Sequence, residues 1–244
     1  MKRELAMGIN PVTTLLESAP ERIIRAWISQ GNPRLEPISR RLVALGVPME
    51  SVDTRALDRR ADGVRHQGLI IEFQPQDALT ESDLADLLDE HTAPLVLVLD
   101  GVTDPNNLGA CLRSAAAAAA VAVVVPRDRA AGLTPAARRA AAGAAELIPL
   151  VSVTNLARTL RQLGERGLWR VGLAGEAEAS LYQADLTGPL ALVLGSEGRG
   201  MRRLTREHCD QLVRIPMPGQ IESLNVSVAA SICLFEAVRV RSST

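Results

Sequence analysis

The chain has very few aromatic residues and almost no lysine. Phenylalanine, tryptophan and tyrosine make up only 2% of its 244 residues, so we do not expect a nucleic-acid platform built from stacked aromatic rings. Lys2 is the single lysine among 27 basic residues, and arginine therefore carries nearly all of the positive charge. An arginine can hold a phosphate through two parallel hydrogen bonds, which a lysine cannot do.

Paired cysteines and long apolar runs are also missing. Cys111, Cys209 and Cys233 are widely spaced and form no CxxC pair, so we expect reduced thiols and no bound metal. The longest uncharged runs, 114–126 and 223–235, are too short to span a bilayer, and no apolar segment follows the charged first residues. We therefore predict a cytoplasmic protein without a secretory signal or a membrane anchor.

The charges are unevenly distributed, although the net charge is only −1. Residues 1–74 have a small excess of basic residues, residues 75–93 carry six acids and no lysine or arginine, and residues 94–244 are again slightly basic. An acidic connector thus separates two mildly basic parts. Such small excesses are compatible with RNA binding, but a solvated surface explains them equally well.

The order of the helix and strand patterns predicts an α/β protein with two domains. Residues 1–74 alternate short helices with short strands, which predicts a small α/β domain. Residues 75–93 have the composition of a linker. Within it, Thr80 and Asp83 have the spacing of a capping box for a short helix.

The remaining residues, 94–244, predict a larger α/β domain with a mostly parallel sheet. Apolar runs at 95–99 and 190–194 are typical of central strands that are covered on both faces. Helical patterns lie between the strands, and connections of this kind make neighbouring strands parallel.

Three polar segments follow predicted strands of this larger domain, at 104–113, 195–200 and 215–227. Ligands of open parallel sheets bind outside the carboxyl ends of the strands, so these segments are candidate site loops. Each also has a purely structural explanation: a turn, a tight loop, or a helix cap at Ser223 or Asn225. The second segment, Gly-x-x-Gly-x-Gly, matches neither the dinucleotide fingerprint nor a P-loop.

Taken together, the three segments resemble the motifs of a known family. The first has the pattern N-x-G-x-x-x-R (Asn107, Gly109 and Arg113), the second reads L-G-S-E-G-x-G from Leu194, and the third reads I-P-M…S-L-N-V-S from Ile215. Their order and spelling are similar to the three motifs of SpoU-type RNA ribose 2′-O-methyltransferases, which are α/β enzymes with a trefoil knot.

The first domain and the connecting segments extend this resemblance. Residues 8–12 and 66–68 are similar to the substrate-binding domain of members that act on large-subunit rRNA. Residues 153–160 and 201–210 are similar to the branch that methylates a guanosine ribose in the peptidyl-transferase P-loop of 23S rRNA. Asn10 and an alanine-rich helix depart from that branch and leave the exact nucleotide open.

The resemblance implies a C-terminal trefoil knot, S-adenosylmethionine as the cofactor, and a homodimer formed partly by the last helix. It implies 23S rRNA, or an assembling large-subunit particle, as the substrate. Five residues would bind the cofactor or lie beside it: Gly195, Ile215, Leu224, Leu194 and Met217. Five others would orient the substrate or stabilise charge: Arg113, Asn107, Glu197, Ser223 and Asn225.

Arg113 is the residue that we expect to matter most for catalysis. A base role has been considered for an arginine at this position, but a guanidinium keeps its proton in proteins. We therefore expect Arg113 to hold the phosphate next to the target ribose and to stabilise the alkoxide that forms there. RNA recognition is expected mainly from arginines of the first domain: Arg22, Arg25, Arg34, Arg40 and Arg41.

Three other functions remain open on the sequence alone. One is a tRNA 2′-O-methyltransferase of the same class, and another is an RNA-binding scaffold that has lost catalysis. The third is a Rossmann-type dinucleotide enzyme, although the glycine fingerprint and the acidic ribose-binding residue of that class are missing.

Overall fold

The computed structural model describes residues 2–221 and 223–242. They form two compact units. The first unit runs to Asp77 and also contains Ala142–Leu147, while the second contains Ala78–Ala141 and the chain from Ile148 onward. The domain boundaries at residues 74 and 93 remain predictions.

The first unit is a four-stranded sheet with helices on both faces. Its strands are β1 (Glu4–Met7), β2 (Ile23–Ser29), β3 (Met49–Val52) and β4 (Leu69–Phe73). Its helices are α1 (Ile9–Ser18), α2 (Glu36–Ala44) and α3 (Thr54–Ala61). The strand order is β1-β4-β2-β3, in which β2 and β3 are parallel and the other two pairs are antiparallel.

A segment that is distant in sequence completes this first unit. It forms a 3-10 turn at Ala144–Glu146, whose residues are buried and pack against α1. A Cβ atom at Gly143 would lie 2.9 Å from Oγ1 of Thr14, so only a glycine lets the segment come this close. A carboxylate oxygen of Glu146 lies 3.6 Å from the guanidinium of Arg22.

The second unit is a seven-stranded sheet in which every pair of neighbours is parallel. Its strands, in chain order, are β5 (Leu95–Asp100), β6 (Ala122–Pro126), β7 (Leu150–Val153), β8 (Trp169–Leu173), β9 (Ala179–Ser180), β10 (Leu190–Gly195) and β11 (Gln211–Arg214). In space their order is β7-β6-β5-β10-β8-β11-β9. The α/β class with a mostly parallel sheet, predicted from the sequence, is confirmed.

The described residues of this unit also form six α-helices: α4 (Glu81–Asp89), α5 (Pro105–Ala117), α6 (Pro135–Ala141), α7 (Leu156–Glu165), α8 (Arg203–Glu207) and α9 (Val226–Arg241). The predicted capping box is present at the start of α4, where the main-chain N–H of Thr80 donates to Oδ2 of Asp83 at 2.7 Å. Leu84 and Leu88 anchor α4 in the core of the second unit.

Candidate active site

The three predicted loops meet at the carboxyl edge of the second sheet, where β5, β10, β8 and β11 lie side by side. Gly195, the last residue of β10, pairs in register with Asp100, the last residue of β5. The first loop leads into α5, the second follows β10, and the third joins β11 to α9. Segments far apart in the chain therefore lie together because their strands are neighbours.

Hydrogen bonds connect the three loops through Asn107, Glu197 and Asn225, and we call this group the loop junction. Nδ2 of Asn107 donates to Oε1 of Glu197 at 3.2 Å, and Nδ2 of Asn225 donates to Oδ1 of Asn107 at 2.9 Å. Oε1 of Glu197 also accepts the main-chain N–H of Val226 at 3.2 Å. Each of the three motifs thus contributes one side chain to the junction.

Asn225 additionally caps α9. Its Oδ1 accepts the main-chain N–H of Ser227 at 2.9 Å and the Ser227 hydroxyl at 2.6 Å. The explanation of Asn225 as a helix cap is therefore correct, but it is incomplete. The amide oxygen stabilises the start of the helix, while the amide nitrogen reaches the loop junction.

A cavity of about 280 Å³, which we call the apolar cavity, opens beside the loop junction. Its lining comes from the ends of β8, β10 and β11 and from the start of α9. All five residues predicted to contact the cofactor line it: Leu194, Gly195, Ile215, Met217 and Leu224. Glu197 and Ser223 line it as well. The segment after β8 also contributes, through Gly175, and the sequence analysis did not predict this.

A second cavity of about 250 Å³, which we call the polar cavity, lies at the ends of β5 and β10. Its lining comes from the loop after β5, the start of α5 and the loop after β10: Gly101, Val102, Thr103, Asp104, Asn107, Ser196, Glu197, Arg199 and Val226. The two cavities share Ser196, Glu197 and Val226. The loop after β10 is therefore a wall of both.

This loop closes on itself because Gly195 has no side chain. A Cβ atom at Gly195 would lie 2.0 Å from the carbonyl carbon of Gly200 and 2.1 Å from the amide nitrogen of Met201. The main-chain N–H of Gly200 donates to the carbonyl oxygen of Ser196 at 2.9 Å. Gly200 has φ +65°, a value that favours glycine. Gly195 and Gly200 thus fix the shape of the shared wall.

An ion pair that the sequence analysis missed holds the end of the same loop. The carboxylate of Asp100 is fully buried, and it accepts the main-chain N–H of Arg202 at 2.8 Å and its Nε–H at 2.6 Å. Because Asp100 is the register partner of Gly195, both ends of the loop are held at one place. The only hint in the sequence is that Asp100 is an acid at the end of an otherwise apolar strand.

Arg113 lies further along α5 than Asn107, and its side chain is exposed. It lines neither cavity, and it makes no hydrogen bond or ion pair with residues 2–221 or 223–242. Its neighbour Ser114 is linked to α9, because the Ser114 and Ser231 hydroxyls lie 2.7 Å apart. The structure therefore brings Asn107, Glu197 and Asn225 together and leaves the Arg113 guanidinium without a protein partner among the described residues.

Gly109, the glycine of the first motif, serves helix packing. A Cβ atom there would lie 2.4 Å from the carbonyl oxygen of Ala137 and 2.5 Å from Cβ of Ala140. Helices α5 and α6 thus touch along their backbones. This contact explains why the motif has a glycine here, since Gly109 lines neither cavity.

Burial raises the pKa of Cys111, Cys209 and Cys233 to about 12 in each case. These thiols therefore remain protonated near neutral pH and are poor nucleophiles. Within the described ranges, no group of three or more His, Cys, Asp and Glu residues could hold a metal ion. No helix of that part of the chain is long and apolar enough to cross a membrane.

Two family models match the chain. Residues 94–235 match the model of the SpoU rRNA Methylase family. The chain belongs to the SpoU rRNA methylase family. Residues 5–78 of this SpoU methylase match a second model, described as RNA 2′-O ribose methyltransferase substrate binding. The family argues against the dinucleotide-enzyme alternative.

Two relatives of this SpoU methylase that match nearly the whole chain have the same name. A Vibrio cholerae protein named 23S rRNA (guanosine-2′-O-)-methyltransferase RlmB is 54% identical over 243 residues, which are 99% of this chain and 98% of the relative. A Pseudomonas putida protein of the same name is 55% identical over 241 residues, covering 98% and 97% of the two chains.

A solved structure agrees with the fold of this SpoU methylase. The SpoU methyltransferase AviRb from Streptomyces viridochromogenes, in complex with AdoMet, superposes with a TM-score of 0.78 at 24% identity. The match covers 99% of this chain and 92% of AviRb. At this identity the comparison establishes the shared fold.

Proposed function

We propose that this SpoU methylase transfers a methyl group from S-adenosylmethionine to the ribose 2′-hydroxyl of a guanosine in the peptidyl-transferase P-loop of 23S rRNA. The observation that carries the proposal is the loop junction of Asn107, Glu197 and Asn225 beside both cavities. The names of the full-length relatives support the 23S rRNA guanosine, and the AdoMet complex of AviRb supports the cofactor.

The apolar cavity fits S-adenosylmethionine in size and in chemistry. Its volume lies near the lower end of the roughly 300–1,000 Å³ typical of ligand pockets. Leu194 and Met217 offer apolar surface to an adenine ring. At Gly175 and Gly198 no atom lies within 4 Å of the Cβ position, so the main chain is open to a ligand there. S-adenosylmethionine supplies a methyl group on a sulfonium, which needs no covalent help from the protein.

The residues around the polar cavity would position the acceptor and stabilise charge. Asn107 and Glu197 hold the wall between the two cavities, where the ribose has to meet the methyl group. The transfer forms a C–O bond and breaks the methyl–sulfur bond of the sulfonium, which would leave S-adenosylhomocysteine. The proton of the 2′-hydroxyl passes to solvent, and partial negative charge develops on the oxygen as that proton leaves. Arg113 lies outside both cavities and has no protein partner among the described residues, so its guanidinium would approach the acceptor from the rim, hold the adjacent phosphate and stabilise that charge. Ser223 and Asn225 would keep the third loop in place.

Mapping of ribose methylation in cells tests this proposal. We expect a strain without the gene to lose 2′-O-methylation at one guanosine of 23S rRNA. The wild-type gene should restore it, whereas Arg113→Lys should not. Loss of a tRNA methylation instead would favour the tRNA enzyme of the same class. An unchanged methylation map would refute the proposal and leave the RNA-binding scaffold.

Methylation assays with purified protein can distinguish free RNA from ribosomal particles as the substrate. Methylation of a protein-free 23S rRNA transcript would show that RNA alone is sufficient. Activity confined to immature large-subunit particles from the deletion strain would show that ribosomal proteins take part. Ribosomal RNA of bacteria is made and assembled in the cytoplasm, so the proposed substrate is consistent with the predicted cytoplasmic location. The trefoil knot implied by the family resemblance stays a prediction.

We infer further that the protein forms a homodimer through α9. Helix α5 and strand β10 pack against one side of α9. On another side Val228 and Phe235 are 47% and 48% exposed, and Ile232 and Val238 are partly exposed beside them. An apolar stripe of this kind is typical of an interface. Phe235→Asp should convert the dimer to a monomer in sedimentation experiments, and a persistent dimer would place the interface elsewhere.

A further inference from the structure

The arginines of the first unit that were predicted to bind RNA are mostly occupied. Four of the five form ion pairs with carboxylates of the described residues: Arg22, Arg25, Arg40 and Arg41. In the closest of these with an ordinary length, Nε of Arg25 lies 2.9 Å from a carboxylate oxygen of Glu72. Each such pair must be broken or shared before a phosphate can bind.

Four arginines of the second unit are different. Their side chains are exposed and make no hydrogen bond or ion pair with residues 2–221 or 223–242: Arg113, Arg129, Arg139 and Arg199. Other exposed arginines of the unit do have partners, for example Arg161, whose Nε lies 3.5 Å from a carboxylate oxygen of Glu165. Among the described arginines of the second unit, unpartnered guanidinium groups are thus a minority.

Two of these four, Arg129 and Arg199, lie at the rim of the polar cavity. Arg199 belongs to its lining. Gly101 also belongs to the lining. A Cβ atom added there would lie 3.9 Å from the main-chain oxygen of Arg129 and 4.0 Å from Cβ of Ser196. The main-chain N–H of Ala131 donates to the carbonyl oxygen of Val102 at 2.8 Å. The segment that carries Arg129 is therefore fixed beside the cavity, near the loop that carries Arg199.

Within the described residues, the carboxylates of the polar cavity form no ion pair with these two arginines. Oε1 of Glu197 accepts from Asn107 and from the main chain of Val226. Oδ1 of Asp104 accepts from the main-chain and side-chain N–H groups of Asn106 at the start of α5. Both acids thus shape the site and form no ion pair with Arg129 or Arg199 within the described residues, so the two guanidinium groups remain available to an anion.

We propose that Arg129 and Arg199 bind the phosphodiester backbone of the RNA next to the target nucleotide. The proposal rests on the proposed function, because it takes the polar cavity as the place of the acceptor ribose. Neither arginine lines the apolar cavity, so the carboxylate of the cofactor is a poor candidate for the anion. A guanidinium can hold a phosphate through two hydrogen bonds, and exposed backbone contacts of this kind bind RNA without reading its sequence.

The salt dependence of RNA binding tests this inference directly. The probe is a 23S rRNA transcript that contains the P-loop, titrated with the full-length protein at several KCl concentrations. The variants are Arg129→Gln, Arg199→Gln and the double variant. Glutamine leaves the left-handed backbone of Arg129, at φ +61°, no more strained than arginine does. Arg161→Gln removes the same charge from a paired arginine on α7 and serves as the matched control.

We expect each rim substitution to lower the slope of log Kd against log salt by about 0.7, as for one lost phosphate contact on single-stranded RNA. The double variant should raise KM for the transcript by about tenfold or more. Its kcat and its Kd for S-adenosylhomocysteine should stay within about twofold of the wild type. The control should keep the wild-type slope.

Two results would overturn the inference and leave the proposed function intact. One is an unchanged slope and KM in the double variant while the wild type methylates the transcript. The other is a weaker Kd for S-adenosylhomocysteine, which would assign the arginines to the cofactor. If the wild type methylates neither the transcript nor large-subunit particles, the proposed function fails. The slopes still decide the phosphate contacts, because they are measured without catalysis.

Discussion

The apolar and polar cavities share one wall and differ in almost everything else. Leucine, isoleucine, methionine and glycine make up most of the remaining lining of the apolar cavity. The polar cavity adds Thr103, Asp104, Asn107 and Arg199. One side of the loop is thus suited to a ligand held by main chain and apolar contact, and the other to a charged partner. Substitutions can therefore be chosen to weaken one ligand and spare the other.

The largest effect is expected on the chemical step, from Arg113→Lys. The variant keeps the charge but loses the planar fork, so we expect kcat to fall by about 10²–10³-fold. The Kd for S-adenosylhomocysteine should change less than about twofold, because Arg113 does not line the apolar cavity. Single-turnover methylation and calorimetry measure the two quantities. Near-normal turnover would refute the role assigned to Arg113.

Gly195→Ala should act mainly on the apolar cavity. The added Cβ would overlap Gly200 and Met201, so the loop has to open. We expect the Kd for S-adenosylhomocysteine to rise by about 100-fold, or about 2.7 kcal/mol. Gly132→Ala is the control, because a Cβ there meets no atom within 4 Å. Calorimetry with a thermal melt of each variant separates lost binding from unfolding, and equal binding by both folded variants would contradict the role of this wall.

Asp100→Asn should weaken both cavities together, since the ion pair with Arg202 holds the wall that they share. Arg202 is about half exposed, so we expect a loss of about 2 kcal/mol rather than the larger cost of a fully buried pair. Urea unfolding gives the stability, and the affinities for S-adenosylhomocysteine and RNA give the effect on the cavities. Reduced stability with both affinities unchanged would make Asp100 a purely structural residue.

The smallest effect concerns the Asp210–Arg170 pair, which lines neither cavity. Hydrogen bonds from Arg170 hold the pKa of Asp210 below its ordinary value. The folded-state pKa is thus the lower one, so this stabilisation is present above about pH 4 and is lost as the pH falls further. Asp210→Asn should cost about 1 kcal/mol or less at pH 7 and flatten the loss of stability in acid. Urea midpoints that are identical for the wild type and the Asp210→Asn variant at every pH from 7 to 3 would contradict this.

Strongly apolar strands could be predicted from the sequence, while some small or polar elements could not. The runs at 95–99 and 190–194 form β5 and β10, because five apolar residues bounded by turn residues have the length of a buried strand and are too few for a typical helix. Helix α3 was not predicted, since most of its residues are polar or charged. It packs only Leu57 and Ala61 into a small core on one face of the first sheet. Long-range packing decides such an element.

The candidate site shows the same limit at the level of single residues. Most of the lining of the apolar cavity was predictable, because the second and third motifs contain it, whereas Leu173 at the end of β8 and Gly175 after it were missed. Asp100 and Arg202 belong to different segments, and their pairing depends on the register of β5 with β10. The lack of an ion-pair partner for Arg129 and Arg199 among the described residues could not be predicted either. It depends on where every nearby carboxylate already finds a partner.

The segment Ala142–Leu147 has a consequence for how the protein is made. It belongs to the first unit, yet the ribosome synthesises it only after β5 and β6. When Asp77 leaves the exit tunnel, the ribosome has not yet translated Ala144–Glu146, which pack against α1. Folding during translation therefore cannot proceed strictly from the amino terminus, and the nascent first unit stays unfinished until Leu147 has emerged.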